Sequence, residues 1–165
     1  MRTITRVSAV MAAVLSLGAL PAMAQSANIT ATATVLQAIT VNGARTLDFG
    51  TVFPGVAKSI GVAAATSGRY DLTGSNSANV NVSFTLPANL TSGANTLPIG
   101  TWTGCYNGTN VVGSCTSFTP SAATTATAFS GTGALFVWVG GTVTPAAAQA
   151  AGVYNGTVTL TAAYF

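Results

Sequence analysis

Apolar and polar residues alternate along several short stretches of the chain. In residues 29–35, 80–86 and 158–164, every second side chain is apolar and most of the intervening ones are Thr, Ser or Asn. A period of two is typical of a β-strand with one buried face. Residues 134–139 form a continuous apolar run instead, which is typical of a strand covered on both faces.

Turn-forming Gly, Pro and Asn separate these stretches, and helical periodicity is almost absent. Residues 146–151 are alanine-rich and could form one helical turn, whereas residues 91–96 and 121–127 have the composition of loops. Further short strands are predicted at residues 39–41, 47–52 and 58–63. Roughly seven to nine short strands predict an all-β, immunoglobulin-like (Ig-like) antiparallel β-sandwich that occupies residues 37–165 as one domain.

Residues 1–24 have the three parts of a secretory signal peptide. Two arginines precede an apolar stretch at residues 7–20, and a small-x-small site follows at residues 22–24. The apolar stretch is shorter than the roughly 20 residues that cross a bilayer, which argues against the alternative of an uncleaved anchor. We therefore predict cleavage before Gln25, export through the periplasm to the cell surface or medium, and no transmembrane segment in the mature chain.

Cys105 and Cys115 are the only two cysteines. A lone pair in an exported chain predicts a disulfide. The Asn107-Gly108 turn signal lies between them, so the bridge would close a hairpin or short loop and contribute about 2.5–3 kcal/mol. A metal pair or a redox pair is the alternative, but the spacing is not C-x-x-C and the chain has no histidine.

Charged residues are too few for most enzyme chemistry. The chain has five basic and two acidic residues and no histidine, and the acids are Asp48 and Asp71. The chain has no histidine to act as the base in general acid–base catalysis or in a serine triad. It also has no imidazole for a zinc site and too few carboxylates for the six to eight oxygen ligands that Ca²⁺ takes. We therefore expect no enzyme, no catalytic residue, no metal and no cofactor. Asp48 should bond nearby backbone amides or pair with Arg45, and Asp71 should be a surface charge.

The mild excess of positive charge does not predict nucleic-acid binding. Once the leader is removed, the cations are Arg45, Lys58 and Arg69, which are scattered along the chain. Three scattered cations do not make an electrostatic footprint for a phosphate backbone.

One aromatic cluster is a candidate contact surface. A Trp in a sandwich usually belongs to the core, but Trp102 precedes the predicted cysteine loop together with Tyr106 and Asn107. An exposed aromatic ring with polar neighbours is what a sugar-binding platform needs. These three residues would serve a self-complete secreted β-sandwich that acts as an adhesion or matrix binding module.

Both ends of the domain are candidates for intermolecular pairing. The alternation of residues 29–35 changes phase at Val35-Leu36, so this strand need not continue into the next one. A free strand of this kind can add to the open edge of another copy, while pairing in its own sheet is the alternative. The bulky Tyr164 and Phe165 at the other end would be locked in the sandwich or paired with a partner.

Three sequence pieces carry a family resemblance. They are Thr32-Ala33-Thr34-Val35, the Leu-Asp-Phe-Gly-Thr-Val of residues 47–52, and the Gly-Val-Tyr-Asn-Gly-Thr-Val-Thr-Leu of residues 152–160 with a final Tyr. In that order behind a signal peptide, they resemble exported bacterial pilin-like domains of unknown function and the similar spore-coat-U-type subunits of archaic chaperone–usher pili. The resemblance covers nearly all of residues 27–165. Those pilin subunits usually carry a cysteine just before the strand that corresponds to residues 39–41, and this chain has none there.

The resemblance implies an incomplete sandwich that lacks one strand. In such families the N-terminal extension of a neighbouring subunit fills the gap, and residues 25–36 would be this donor strand. The side chains that would fill the groove are Ile29, Ala31, Ala33 and Val35. The candidates for its lining or core are Phe84, Leu86, Val137, Val158, Leu160 and Tyr164.

The implied function is a non-enzymatic structural subunit of the cell surface, such as a fimbrial subunit, that assembles by donor-strand exchange. Its partners would be copies of itself or related subunits, a periplasmic chaperone that covers the apolar groove, and an outer-membrane usher. A functional amyloid is a further alternative, since the chain is β-rich and poor in charge. The cysteine pair and two Trp suit a globular core better.

Overall fold

The computed structural model describes residues 25–165, so the predicted signal peptide lies outside the described residues. Of the described residues, 35–165 belong to one unit and 25–34 do not belong to it. Among the described residues, no helix has the length and apolar character needed to cross a membrane.

Residues 40–165 form ten strands and one 3₁₀ turn. The strands are β1 (Thr40–Arg45), β2 (Lys58–Ile60), β3 (Gly68–Thr73), β4 (Asn79–Thr85), β5 (Asn89–Ser92), β6 (Asn95–Asn107), β7 (Thr116–Phe118), β8 (Thr125–Ala128), β9 (Ala134–Val143) and β10 (Thr159–Tyr164). The 3₁₀ turn is Val112–Ser114, in the loop between β6 and β7.

The strands make two antiparallel sheets. The larger sheet has the order β1-β3-β9-β6-β5, with β2 added beside β9 and β7 beside β6. The smaller sheet has the order β10-β4-β8. The predicted all-β antiparallel sandwich is therefore confirmed.

The main core lies between the two sheets. Alternate residues of β4 are buried, as the period of two predicts, and they meet the inner faces of β3 and β9. The buried members of this core are Leu72, Val80, Val82, Phe84, Phe129, Leu135, Val137, Val139 and Leu160. A second, smaller cluster consists of Phe49, Leu97, Ile99 and Val143.

Strand β9 explains the continuous apolar run. It pairs with β3 and β2 on one edge and with β6 on the other, which makes it the central strand of the larger sheet. Val137 and Val139 are completely or almost completely buried on one face, and Trp138 is 3% exposed on the other. Both faces of the strand are covered there, as the sequence predicts.

Two stretches predicted as loops contain strands. Residues 91–96 include the end of β5 and the start of β6, which form a hairpin. Gly93 lies between these strands with a φ of +58°, a conformation that glycine adopts without steric cost. Residues 121–127 include the start of β8, where alternating Thr and Ala pair with β4.

Two other predictions also differ from the structure. Residues 47–52 form no strand, because the chain turns at Gly50, which has a φ of +58°. Residues 146–151 form no helix; they contain a turn in which the Gln149 N–H donates to the Ala146 carbonyl at 3.0 Å. Gly152 follows directly and does not favour continuation into a helix.

Residues 25–39 form no strand, and the side chains of residues 25–38 are exposed. The alternation of residues 29–35 predicts a half-buried strand, yet Ile29 is 95% exposed and Val35 is 93% exposed. An alternating sequence becomes a half-buried strand only where a sheet edge and an apolar face are available to it. Residues 29–35 therefore have the alternating sequence of a β-strand but are not paired in a sheet.

Candidate functional site: an open groove beside β1

The inner face of β1 is uncovered. In the antiparallel β1–β3 pair, Val41 lies opposite Leu72 and Gly43 lies opposite Tyr70, so all four belong to one face of the sheet. Leu72 is 1% exposed, whereas Val41 is 41% exposed. Both β1 and β10 end their sheets, and within residues 25–165 neither has a strand on its outer edge. The sandwich is therefore open at this side.

A groove of about 970 Å³ lies at this opening. One wall is formed by residues 45–52 and the other by residues 149–158. The floor belongs to the larger sheet and to the second core cluster. Its apolar and aromatic members are Tyr70, Leu90, Leu97, Ile99, Val139 and Val143.

The first wall is an irregular segment held by local hydrogen bonds. The Gly50 N–H donates to Asp48 Oδ1 at 2.7 Å, and the Asp48 N–H donates to the Thr66 carbonyl at 2.9 Å. Lys58 Nζ donates to the Thr51 carbonyl at 2.9 Å. The prediction that Asp48 bonds a nearby backbone amide is confirmed, and these bonds keep the wall in place without a neighbouring strand.

Arg45 does not pair with Asp48, the partner considered in the sequence analysis, but bonds to Ser67. Its Nε donates to the Ser67 carbonyl and its Nη2 to Ser67 Oγ, both at 2.6 Å. The Ser67 hydroxyl in turn donates to the Val62 carbonyl at 2.9 Å. Arg45 is thus tied to the β3 side rather than to Asp48. The other acid, Asp71, pairs with Arg69 at 2.8 Å and is partly buried.

The second wall is fixed to the β5–β6 hairpin. Gln149 Nε2 donates to the Thr96 carbonyl at 3.0 Å and to the Tyr154 hydroxyl at 2.7 Å. Thr91 and Asn155 exchange two backbone hydrogen bonds of 2.8 and 2.9 Å. The hairpin holds one edge of this segment, and residues 156–158 are not part of a strand.

Tyr70 joins the floor to the second wall. Its hydroxyl donates to the Val158 carbonyl at 2.5 Å. Burial raises the pKa of Tyr70 above its ordinary value of 10.0, because the ionised form would be poorly solvated there.

The groove is poorly suited to a charged ligand. Of its lining residues, only Arg45 and Asp48 carry charge, and both are engaged in hydrogen bonds with the protein. The floor is apolar, and the walls offer backbone groups outside regular strands. This combination is typical of a site for an extended, uncharged peptide segment, in which main-chain groups pair and alternate side chains enter pockets.

The residues proposed from sequence as groove or core occupy different places. Val158 lines the groove. Phe84, Val137 and Leu160 are buried in the main core, and Leu86 and Tyr164 pack against it. Ile29, Ala31, Ala33 and Val35, the proposed donor residues, are exposed.

The predicted disulfide between Cys105 and Cys115 is present, with a Cα–Cα distance of 5.7 Å. It ties the end of β6 to the residue before β7. Asn107 Nδ2 donates to the Val111 carbonyl at 2.8 Å and to Ser114 Oγ at 3.0 Å inside this loop.

The aromatic members of the candidate contact surface are partly buried. Trp102 packs against both core clusters. Tyr106 packs against the main core, and its ring lies 5.8 Å from that of Phe118. With Asn107 bonded inside the cysteine loop, each of the three residues contributes to the fold.

Sequence reasoning missed most of the groove, although the signal was present. The Leu-Asp-Phe-Gly-Thr-Val piece at residues 47–52 lies in the first wall, and the piece that begins at Gly152 supplies the second. These are two of the three pieces on which the family resemblance rests. Nothing in the apolar–polar pattern or in the composition identifies Gly43 and Tyr70 as groove residues.

No curated protein and no solved structure matches the chain significantly. A family model described as "Domain of unknown function (DUF4402)" matches residues 15–164, which is nearly the whole chain. The chain therefore belongs to the DUF4402 family of domains of unknown function.

Proposed function

We propose that the protein is a non-enzymatic structural subunit of a cell-surface fibre that assembles by donor-strand exchange. In this proposal, residues 25–36 of one copy insert into the groove of the next. The observation that carries the proposal is the uncovered inner face of β1 beside an apolar groove, in a chain that also has an unpaired, alternating segment.

The groove supports the acceptor half of the proposal. An added strand would lie between the free edges of β1 and β10 and would cover Val41 and the groove floor. Its backbone would find hydrogen-bonding groups in two walls that are not in regular strands. Its alternate side chains would replace water over the apolar floor, which is the main favourable contribution to binding.

Residues 29–35 support the donor half. Three threonines lie on one face of the segment and Ile29, Ala31, Ala33 and Val35 on the other. Ile29 and Val35 are more than nine-tenths exposed, so burying them in a partner would remove apolar surface from water. The cost is the ordering of a segment that has no pairing of its own.

Export from the cytoplasm is consistent with assembly at the cell surface. The signal peptide predicted at residues 1–24 would take the chain to the periplasm, and the disulfide agrees with an oxidising compartment. An empty apolar groove with two free strand edges invites aggregation. We therefore propose a periplasmic chaperone that covers the groove before assembly and an outer-membrane usher that supports export of the fibre.

A second candidate is a self-complete secreted binding module. The main core favours it, because its central side chains, such as Leu72 and Val137, are almost fully buried without an added strand. In this case the protein would be a stable monomer, and the region from Trp102 to Cys115 would be the surface to test for ligands.

The proposal is tested by removing residues 25–36 and then supplying them as a free peptide. The mature chain should form multimers, and the shortened chain should remain a monomer with a lower melting temperature. Added peptide of residues 25–36 should raise that melting temperature and should block assembly of the intact chain. A control peptide in which Ala31 and Ala33 are replaced by Asp should do neither. Undiminished assembly of the shortened chain would refute the proposal.

A further inference from the structure

Gly43 leaves an open space on the inner face of β1. A Cβ atom built on Gly43 would meet nothing within 4 Å. Two other glycines that line the groove are confined: a Cβ at Gly68 would lie 3.3 Å from Leu47 Cβ, and one at Gly156 would lie 2.6 Å from Leu90 Cδ2. The groove therefore has one position on its β1 side where a side chain is missing and room for it exists.

The backbone does not require glycine at this position. Gly43 is not among the residues with positive φ, so an ordinary side chain could be accommodated. A glycine inside a strand weakens that strand, and it often marks a place where a ligand or another backbone approaches closely. A larger residue here would cover part of Tyr70, its partner in β3, within the same molecule. The glycine instead keeps this part of the groove empty.

We propose that this space receives the Ile29 side chain of a neighbouring copy. This inference rests on the proposed donor-strand exchange and adds to it a register for the inserted segment. Ile29 is the largest of the four side chains on its face of the segment, and the next two on that face are alanines. Ile29 then lies over Gly43, where the acceptor has no side chain. Ala31 and Ala33 lie over positions where the acceptor does have side chains.

The anchoring of Gln37 distinguishes Ile29 from Val35, the other large residue of the segment. The Gln37 N–H donates to Ser75 Oγ at 2.5 Å, and the Gln37 carbonyl accepts from the Tyr164 hydroxyl at 2.7 Å. Val35 lies only two residues before this anchor, so it can enter the partner's groove only at the end that lies next to its own copy. Ile29 lies eight residues before it and can reach about 26 Å at about 3.3 Å per residue in an extended chain.

The same anchor favours a second copy over the chain's own groove. Gln37 lies beside Ser75, beyond the point where Thr40 pairs with Thr73 at the end of β3. Both backbone groups of Gln37 are already bonded. A chain that turned back at this point to run along its own β1 would have to break these bonds.

A cross-linking experiment tests the register directly. The two native cysteines are paired, and no free cysteine occurs in the described chain. Mature chains that carry Gly43→Cys and Ile29→Cys are mixed and oxidised in air, and a disulfide-linked heterodimer is expected. The pairs Gly43→Cys with Val35→Cys, and Gly113→Cys with Ile29→Cys, are the controls, since Gly113 also has open space but lies in the cysteine loop. A dominant Gly43–Val35 product, or equal products from all pairs, would overturn the inference.

A size-exchange experiment gives an independent answer. Gly43→Leu should leave the monomer folded, with an unchanged or higher melting temperature, and should weaken assembly by about tenfold or more, because two large side chains compete for one space. Ile29→Ala in the same chain should restore most of the assembly, whereas Val35→Ala should not. If Gly43→Leu fails to fold, Gly43→Ala serves instead and should show a smaller loss of the same kind.

The proposed function and the proposed register are refuted by different results. If the unmodified mature chain forms no multimers, the proposed function is wrong and this inference falls with it. If the mature chain assembles through residues 25–36 but Gly43→Leu assembles equally well, the proposed function stands and the register is wrong.

Discussion

Val41 and Leu72 lie directly opposite each other in the β1–β3 pair, yet Leu72 is 1% exposed and Val41 is 41% exposed. Both side chains belong to the inner face of the larger sheet. Leu72 belongs to the main core between the two sheets, and Val41 lies in β1, the strand that ends the larger sheet. The difference in exposure between these two neighbours shows that the inner face of the larger sheet is covered at β3 and uncovered at β1.

The two residues should respond differently to truncation. Leu72→Ala should lower the free energy of unfolding of the monomer by about 2–5 kcal/mol, because it leaves a cavity in the main core. Val41→Ala should lower it by less than about 1 kcal/mol, because the side chain remains in contact with water. Urea unfolding of both variants measures these values.

Val41→Ala should nevertheless weaken assembly, since an inserted strand would cover Val41. Asn42→Ala is the matched control, because Asn42 points to the other face of β1. Sedimentation of both variants compares the association constants. Equal association of the two variants would argue against insertion of a strand over β1.

The face of the donor segment is tested by two adjacent lysine substitutions. Ala33→Lys places a charge on the face proposed to enter the groove and should abolish multimers, since an unpaired charge would be buried there. Thr32→Lys places the same charge on the outward face and should leave assembly nearly unchanged. The fraction of multimer after size exclusion is the measurement, and the opposite order of effects would contradict the proposed orientation.

The disulfide should stabilise the domain without controlling assembly. Replacing both Cys105 and Cys115 by Ser should lower the free energy of unfolding by about 2.5–3 kcal/mol, because the bridge restricts the unfolded chain. Neither cysteine lines the groove, so the multimers should persist below the melting temperature. Calorimetry and size exclusion of the double variant check both statements. A loss of multimers in a folded variant would mean that the cysteine loop belongs to the interface.

Tyr70 should make stability fall at high pH. Its pKa is raised in the folded protein by burial, so above its ordinary value of 10.0 the unfolded chain loses the proton before the folded one does. The stabilisation is present below pH 10 and is lost as the pH rises above it. Tyr70→Phe should remove this part of the dependence and also the hydrogen bond to the Val158 carbonyl. Melting temperatures of both proteins between pH 8 and pH 11 provide the comparison, and parallel curves would contradict the assignment.

The sequence predicts the paired strands well and the groove poorly. Residues 80–86 and 158–164 alternate because each has one face on the main core, and the pattern identifies β4 and β10 within a residue or two. Residues 134–139 are apolar throughout because β9 is covered on both faces. In each case, burial that repeats along the strand leaves a repeating signal.

The groove walls leave no such signal. Residues 47–52 contain a strand-like set of apolar side chains, but the chain turns at Gly50, and the Gly50 N–H is taken up by a hydrogen bond to the Asp48 carboxylate. Residues 149–158 are placed by the contacts of Gln149 and Tyr154 with distant parts of the chain, which no local pattern encodes. The open space at Gly43 depends on what is absent above it, and only the arrangement of the two sheets reveals it.

The central claim is that residues 25–36 are shared between copies, and light scattering on the mature chain tests it most directly. Purified residues 25–165 are separated by size with multi-angle light scattering, before and after brief heating in SDS. We predict a ladder of multimers that persists in SDS at room temperature and collapses to monomer on heating. A single monomeric species at all concentrations, with one cooperative melting transition, would contradict the claim and would favour the self-complete module.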